Sequence, residues 1–177
     1  AKQVGKGGSV YAFEPAPENF ELLTKNISLN GYSNVAPIQM AVSNVEGFTT
    51  LYLNPYSVAH SLHQDTFGKS REELRIEVTT LDSYFERLEW PPVNVVKMDI
   101  EGAEPNALMG MTGLIGKNPD LVLILEYVPE ILERAGMKPE SLLSQIRSLG
   151  LEIFLITPDS GELEFFSKEI ASRKGLR

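Results

Sequence analysis

The sequence predicts an α/β fold whose sheet is mostly parallel and ends in an antiparallel hairpin, and three stretches carry that expectation. The first is Val93-Asn-Val-Val-Lys-Met-Asp-Ile-Glu-Gly-Ala-Glu104, which runs from β-branched and apolar side chains straight into charge. Val93, Val95, Val96, Met98 and Ile100 suit a strand covered on both faces, as in parallel sheets packed between helices, so this strand is expected to lie centrally. The second is residues 9–42, which alternate strand, helix and strand with a connection long enough for a right-handed crossover. The third is residues 151–166, two short apolar runs across the turn Pro158-Asp-Ser-Gly161, which read as a hairpin.

Composition narrows the function classes. The 177 residues with 42% hydrophobic content are enough for one core, so a single domain over 1–177 is expected. Sixteen Lys and Arg against 24 Asp and Glu give a net charge of −8, which argues against gripping a nucleic-acid backbone. The absence of cysteine excludes disulfides, thiolate metal sites and a Cys nucleophile. No transmembrane segment is expected, because the longest apolar run is residues 121–125, and the N-terminus lacks the order of a signal peptide. Cytoplasm is then the default location.

Taken in order, residues 1–8 carry Gly5, Gly7 and Gly8 ahead of a strand, whereas a phosphate-cradling loop follows a strand and opens a helix. They read as a turn. Residues 9–14 form the first strand, Pro15 and Pro17 start a helix, and Phe20, Leu23 and Ile27 give it an apolar stripe. Asn30-Gly31 stops the helix, and residues 34–42 form the next strand. Glu14, at the carboxyl end of its strand, stands where dinucleotide-type folds place an acid that accepts hydrogen bonds from ribose hydroxyls. Capping the following helix is the other reading of the same residue.

Residues 49–53 and 75–80 alternate like half-exposed antiparallel strands, and between them residues 54–73 form a long polar loop. His60 and His63 lie there, candidates for general bases or simply exposed loop residues. Residues 81–85 suggest a short helix, and Pro91-Pro92 breaks the chain before the strand that delivers Lys97, Asp99 and Glu101 to one face. Gly102 then lets the backbone turn. Sites in open α/β sheets lie at such strand ends, although a Lys97–Asp99 ion pair that only orders the loop would leave the same trace. Residues 104–111 read as a helix, 120–126 as a second buried strand ending in Glu126, and 139–149 as an amphipathic helix. Residues 168–177 are polar and basic and read as a frayed end. Asp99, Glu101 and Glu126 could offer oxygen ligands to magnesium or calcium, but strand-end acids are common without one, and no metal is expected.

Four motifs together closely resemble a known family. Tyr11-Ala-Phe-Glu-Pro-Ala-Pro-Glu-Asn-Phe20, Asn26-Ile-Ser-Leu-Asn-Gly31, Ala41-Val-Ser43 and Val96-Lys-Met-Asp-Ile-Glu-Gly-Ala-Glu104 resemble, in sequence, order and spacing, the FkbM S-adenosylmethionine-dependent methyltransferases. The likeness runs from residue 9 to about residue 167. It implies a Rossmann-like class I methyltransferase sheet, mostly parallel with a C-terminal antiparallel hairpin, and O-methylation of a hydroxyl, often on a sugar or secondary metabolite. By that resemblance Glu14 would hold the cofactor's ribose, Ala41 and its neighbours would lie along the adenine, and Asp99 would sit beside the methionine end. Glu101, Lys97 and His60 would surround the acceptor hydroxyl, with Asp99 or Glu101 as the base.

One family element has no counterpart here. Members begin the domain with a strand and a glycine-rich Asp-x-Gly-x-Asn-x-Gly turn, upstream of the segment that starts here at Ala1. The first strand is thus missing, and the chain is expected to be a fragment that binds S-adenosylmethionine weakly or not at all and leaves two sheet edges open to self-association. A nicotinamide-dependent oxidoreductase would share the strand-end acid but lacks its own Gly-x-Gly-x-x-Gly, and a catalytically inactive Rossmann-like interaction module remains the non-enzymatic alternative.

Overall fold

A computed structural model describes residues 1–54, 60–64, 72–157 and 160–166. The expectations for most of the polar loop, for Pro158-Asp159 in the hairpin turn and for the frayed end fall outside these residues. The N-terminal turn precedes β1 (Val10–Phe13), and the side-chain amide of Asn34 ties it down by donating to the carbonyls of Gly5 at 2.9 Å and Gly8 at 3.0 Å. Helix α1 (Pro17–Leu29) opens on its proline and closes at Asn30, with Gly31 left-handed at φ 64°. Phe20, Leu23 and Ile27 are half-buried, and no residue of α1 is fully buried.

Residues 34–42 are two strands rather than the single one expected. β2 (Val35–Ile38) pairs in parallel with β1, Val10 opposite Val35, whereas β3 (Ala41–Val42) pairs in parallel with β5 (Glu72–Thr79). Gln39 and Met40 carry the chain from one sheet to the other. β4 (Gly47–Leu53) pairs antiparallel with β5 along its full length, as its alternation foretold, and packs Leu51 against Ala16, Ala41, Ile76 and Val78 in a small core.

The main core is helical. Helix α2 (Leu81–Arg87), capped by the Thr80 hydroxyl accepting from the Ser83 amide, contributes Leu81 and Phe85. They pack with Met98 of β6 (Val95–Met98), Ala107 and Leu108 of α3 (Glu104–Met109), and Leu114 of α4 (Thr112–Lys117). β7 (Val122–Leu125) pairs in parallel with β6, and α5 (Pro129–Arg134) and α6 (Pro139–Ser148) close the core with Leu132, Leu142 and Ile146. Edge-to-face contacts of Tyr11 with Phe85 at 5.2 Å and of Phe13 with Tyr84 at 4.9 Å dock β1 on α2. β8 (Phe154–Ile156) and β9 (Leu163–Phe165) form the expected antiparallel hairpin.

The parallel pairs and the terminal hairpin are those foreseen, but the expected central strand is not covered on both faces. Among the described residues the ladders form four separate small sheets, and β6 pairs with β7 alone. Val95 is 57% exposed, and β7 likewise leaves Val122 and Ile124 exposed rather than buried. Apolar, β-branched residues state what a strand can bury, whereas a neighbour must supply the cover. No helix among the described residues is long and apolar enough to cross a membrane.

Candidate active site

A cavity of about 570 Å³ opens at the carboxyl ends of β1 and β6. Its walls bring together five residues that are far apart in the chain: Glu14 after β1, Ala41 of β3, His60 beyond β4, and Asp99 and Glu101 after β6. The size falls within the range of small-molecule sites. Lys97 does not line it; its Nζ lies 2.9 Å from Asp99 Oδ2, with the side chains 67% and 46% exposed, so the pair adds little stability. Glu126 also stands back from the wall and acts on the site only through its charge.

Each acid is held by local backbone chemistry. Glu14 Oε1 accepts the Ala16 amide at 2.9 Å at the entry to α1, so the carboxylate braces the helix start while facing the cavity. Beyond β6 the chain makes a tight turn in which Glu101 is left-handed at φ 56° and Gly102 at φ 92°. A Cβ on Gly102 would lie 3.2 Å from both Ala135 Cβ and Ile131 Cγ2, so glycine lets α5 pack against this turn. The buried Glu104 carboxylate accepts the Ile100 amide at 3.1 Å and ties the turn to the start of α3.

Burial pushes the Glu101 carboxyl up to about 7, and the charges of Asp99, Glu126 and Glu104 push in the same direction. Burial also raises Glu104, against the backbone hydrogen bonds it accepts. Opposite them, His60 Nδ1 accepts the Asn54 amide at 3.0 Å, which in the neutral ring leaves the hydrogen on Nε2. His63 does not line the cavity, and burial lowers its pKa. No group of three or more His, Asp or Glu side chains among the described residues is placed to hold a metal.

Residues 1–153 match the methyltransferase FkbM domain. The chain belongs to this family. It is 33% identical over 107 residues to the hexuronic acid methyltransferase AglP of Haloferax volcanii, a match that covers 60% of this chain and 43% of that protein. The chain thus spans less than half the length of this relative. No solved structure matches it.

The donor set of this FkbM-family cavity suits an adenosyl cofactor. Carboxylates at two strand ends can accept from hydroxyl and ammonium groups, and the apolar Ala41, Val42 and Leu51 offer a surface for a flat ring. Asn19 and Asn26 of α1, seven residues apart in the sequence, also reach the wall. Both are polar residues outside the helix's apolar stripe, so nothing in that pattern singles them out. Nor does anything in the loop sequence foretell the burial of Ser61, which is 3% exposed.

Proposed function

We propose that the chain is an S-adenosylmethionine-dependent methyltransferase that methylates a hydroxyl oxygen on a sugar or secondary metabolite. The observation that carries this reading is the convergence of Glu14, Ala41, His60, Asp99 and Glu101 on one cavity. S-adenosylmethionine supplies a methyl group already activated on a sulfonium. Glu14, oriented by the Ala16 amide, would accept from the ribose hydroxyls, Ala41 would offer a surface to the adenine, and Asp99, its charge partly balanced by Lys97, would hold the methionine end.

Glu101 is the base. With its pKa near 7 the carboxylate is a stronger base than an ordinary one and is ionised for the most part above neutrality, when it can take the acceptor's proton. His60, with its hydrogen on Nε2, donates to an acceptor oxygen and orients it. The name of the relative AglP supports a sugar acceptor. Among the described residues β1 pairs only with β2 and β6 only with β7, which fits the insertion of a further strand between them and otherwise leaves the chain open to self-association.

Transfer of a labelled methyl from S-adenosylmethionine to a panel of sugars, hexuronic acids included, tests the reading. Glu101→Gln is expected to lower kcat about a hundredfold or more. Wild-type rates in both Glu101→Gln and Asp99→Asn would remove the site from the reaction.

A further inference from the structure

Segment 60–64 lies across the cavity from the turn that carries Glu101, and the buried Ser61 and the partly buried His63 both reach that turn. Ser61 is 3% exposed, and its hydroxyl donates to the Glu101 carbonyl oxygen at 2.9 Å while accepting the His63 amide at 3.1 Å. Its own backbone is fixed by a two-way bridge to Tyr52, with N–H to O distances of 2.9 and 3.2 Å, which anchors the segment on β4. The peptide it grips is an unusual one. Glu101 is a non-glycine residue at φ 56°, a conformation that persists only where surrounding contacts impose it.

The turn is also held from its other side by Glu104, whose carboxylate accepts backbone amides of Ile100 and Gly102, and by His63, which hydrogen bonds to the Gly102 backbone. Ser61 adds the grip on the Glu101 carbonyl itself. We propose that Ser61 is a positioning residue for the reaction: by holding the Glu101 carbonyl it keeps the left-handed turn and aims the Glu101 carboxylate into the cavity, coupling the acceptor-side segment to the base. The consequence for catalysis rests on the methyltransferase reading, whereas the geometry does not.

Without the hydroxyl, the Glu101 carbonyl loses this donor, the hold on the left-handed residue loosens, and the carboxylate can swing toward solvent. The groups around Glu101 make that movement measurable. Asp99 with its partner Lys97 lies at the end of β6, Glu104 opens α3, Glu126 follows β7, and His60 and His63 flank Ser61. Leaving this acidic, partly buried place returns Glu101 toward the ordinary carboxylate range.

The test is a pH titration of Glu101 by carbon-13 NMR of labelled glutamate side chains, with Glu101→Gln assigning the resonance, in the protein without cofactor or acceptor. The wild-type midpoint is expected near 7. Ser61→Ala should lower it by at least about one unit. Ser61→Thr and Ser61→Val form a nearly isosteric pair that differs by the hydroxyl, and they decide the matter should Ser61→Ala fail to fold. The threonine variant should titrate like the wild type and the valine variant should not. In methyl transfer the valine variant should lose about tenfold in kcat against threonine at unchanged KM for the donor. A wild-type midpoint in the ordinary carboxylate range, or one shared by the threonine and valine variants, overturns the proposal. Because the titration needs neither ligand nor turnover, its failure is distinct from a failure of methyl transfer.

Discussion

At the scale of single residues the site stores an electrostatic conflict at Glu101. Its carboxyl is raised to about 7 from an ordinary value of 4.5, so the folded protein holds a proton there that the unfolded chain has released. The group's favourable contribution is therefore complete below about pH 4.5 and is lost as pH rises through about 7. Glu101→Gln should remove this loss. In urea unfolding at pH 8 the variant is expected to be more stable than the wild type by about 1 kcal/mol, allowing for solvent screening of a partly exposed group. Below pH 4.5 the two should converge. An equal difference at both pH values would show that Glu101 is not strained by ionisation. The acids were legible in the sequence, since strand-end carboxylates at residues 14 and 99 mark the carboxyl edge of an α/β sheet. The shift of Glu101 was not, because it depends on how closely Asp99, Glu104 and Glu126 are folded around it.

At the scale of elements, α3 and its C-cap set how closely the site's helices approach the β3–β5 sheet. Gly110 ends α3, and its carbonyl accepts the Asp82 amide at 2.9 Å, while the Asp82 carboxylate accepts the Gly113 and Leu114 amides at 2.9 and 2.7 Å at the start of α4. A Cβ on Gly110 would overlap the Ser43 carbonyl oxygen and lie 3.2 Å from Thr80 Cβ. Gly110→Ala is expected to lose about 3 kcal/mol in denaturant unfolding, because backbone on the far side leaves no room to yield. An unchanged Cm would mean that α3 moves freely relative to Ser43. Helices α1, α3 and α6 carry a proline in the first turn and α2 a threonine cap, signals that local sequence records well. The six-residue helices α4 and α5 escaped the reading, since neither spans enough turns to show a periodic stripe. The division of residues 34–42 into β2 and β3 escaped it for another reason: strand propensity is alike on both sides of Gln39-Met40, and partner choice is a tertiary matter.

At the scale of the whole molecule, the parallel pairs β1–β2 and β6–β7 are fixed side by side by helices rather than by a shared ladder. Tyr11 and Phe13 reach α2, and α2 packs with β6 in the main core, so the two strand ends open on the same cavity. The sequence foretold the parallel pairing of β1 with β2 and the terminal hairpin, whereas the exposure of Val95 and Val122 is a tertiary outcome that their apolar character does not record. The central claim is that this shared cavity binds an adenosyl cofactor through Glu14. The most direct measurement is a calorimetric titration of S-adenosylhomocysteine into the protein and its Glu14→Ala variant, with any coding sequence upstream of Ala1 included and NAD as comparison. S-adenosylhomocysteine is expected to bind and NAD is not, with binding weakened about tenfold or more in the variant. Binding of NAD instead, or binding of S-adenosylhomocysteine that is indifferent to Glu14, would contradict that claim.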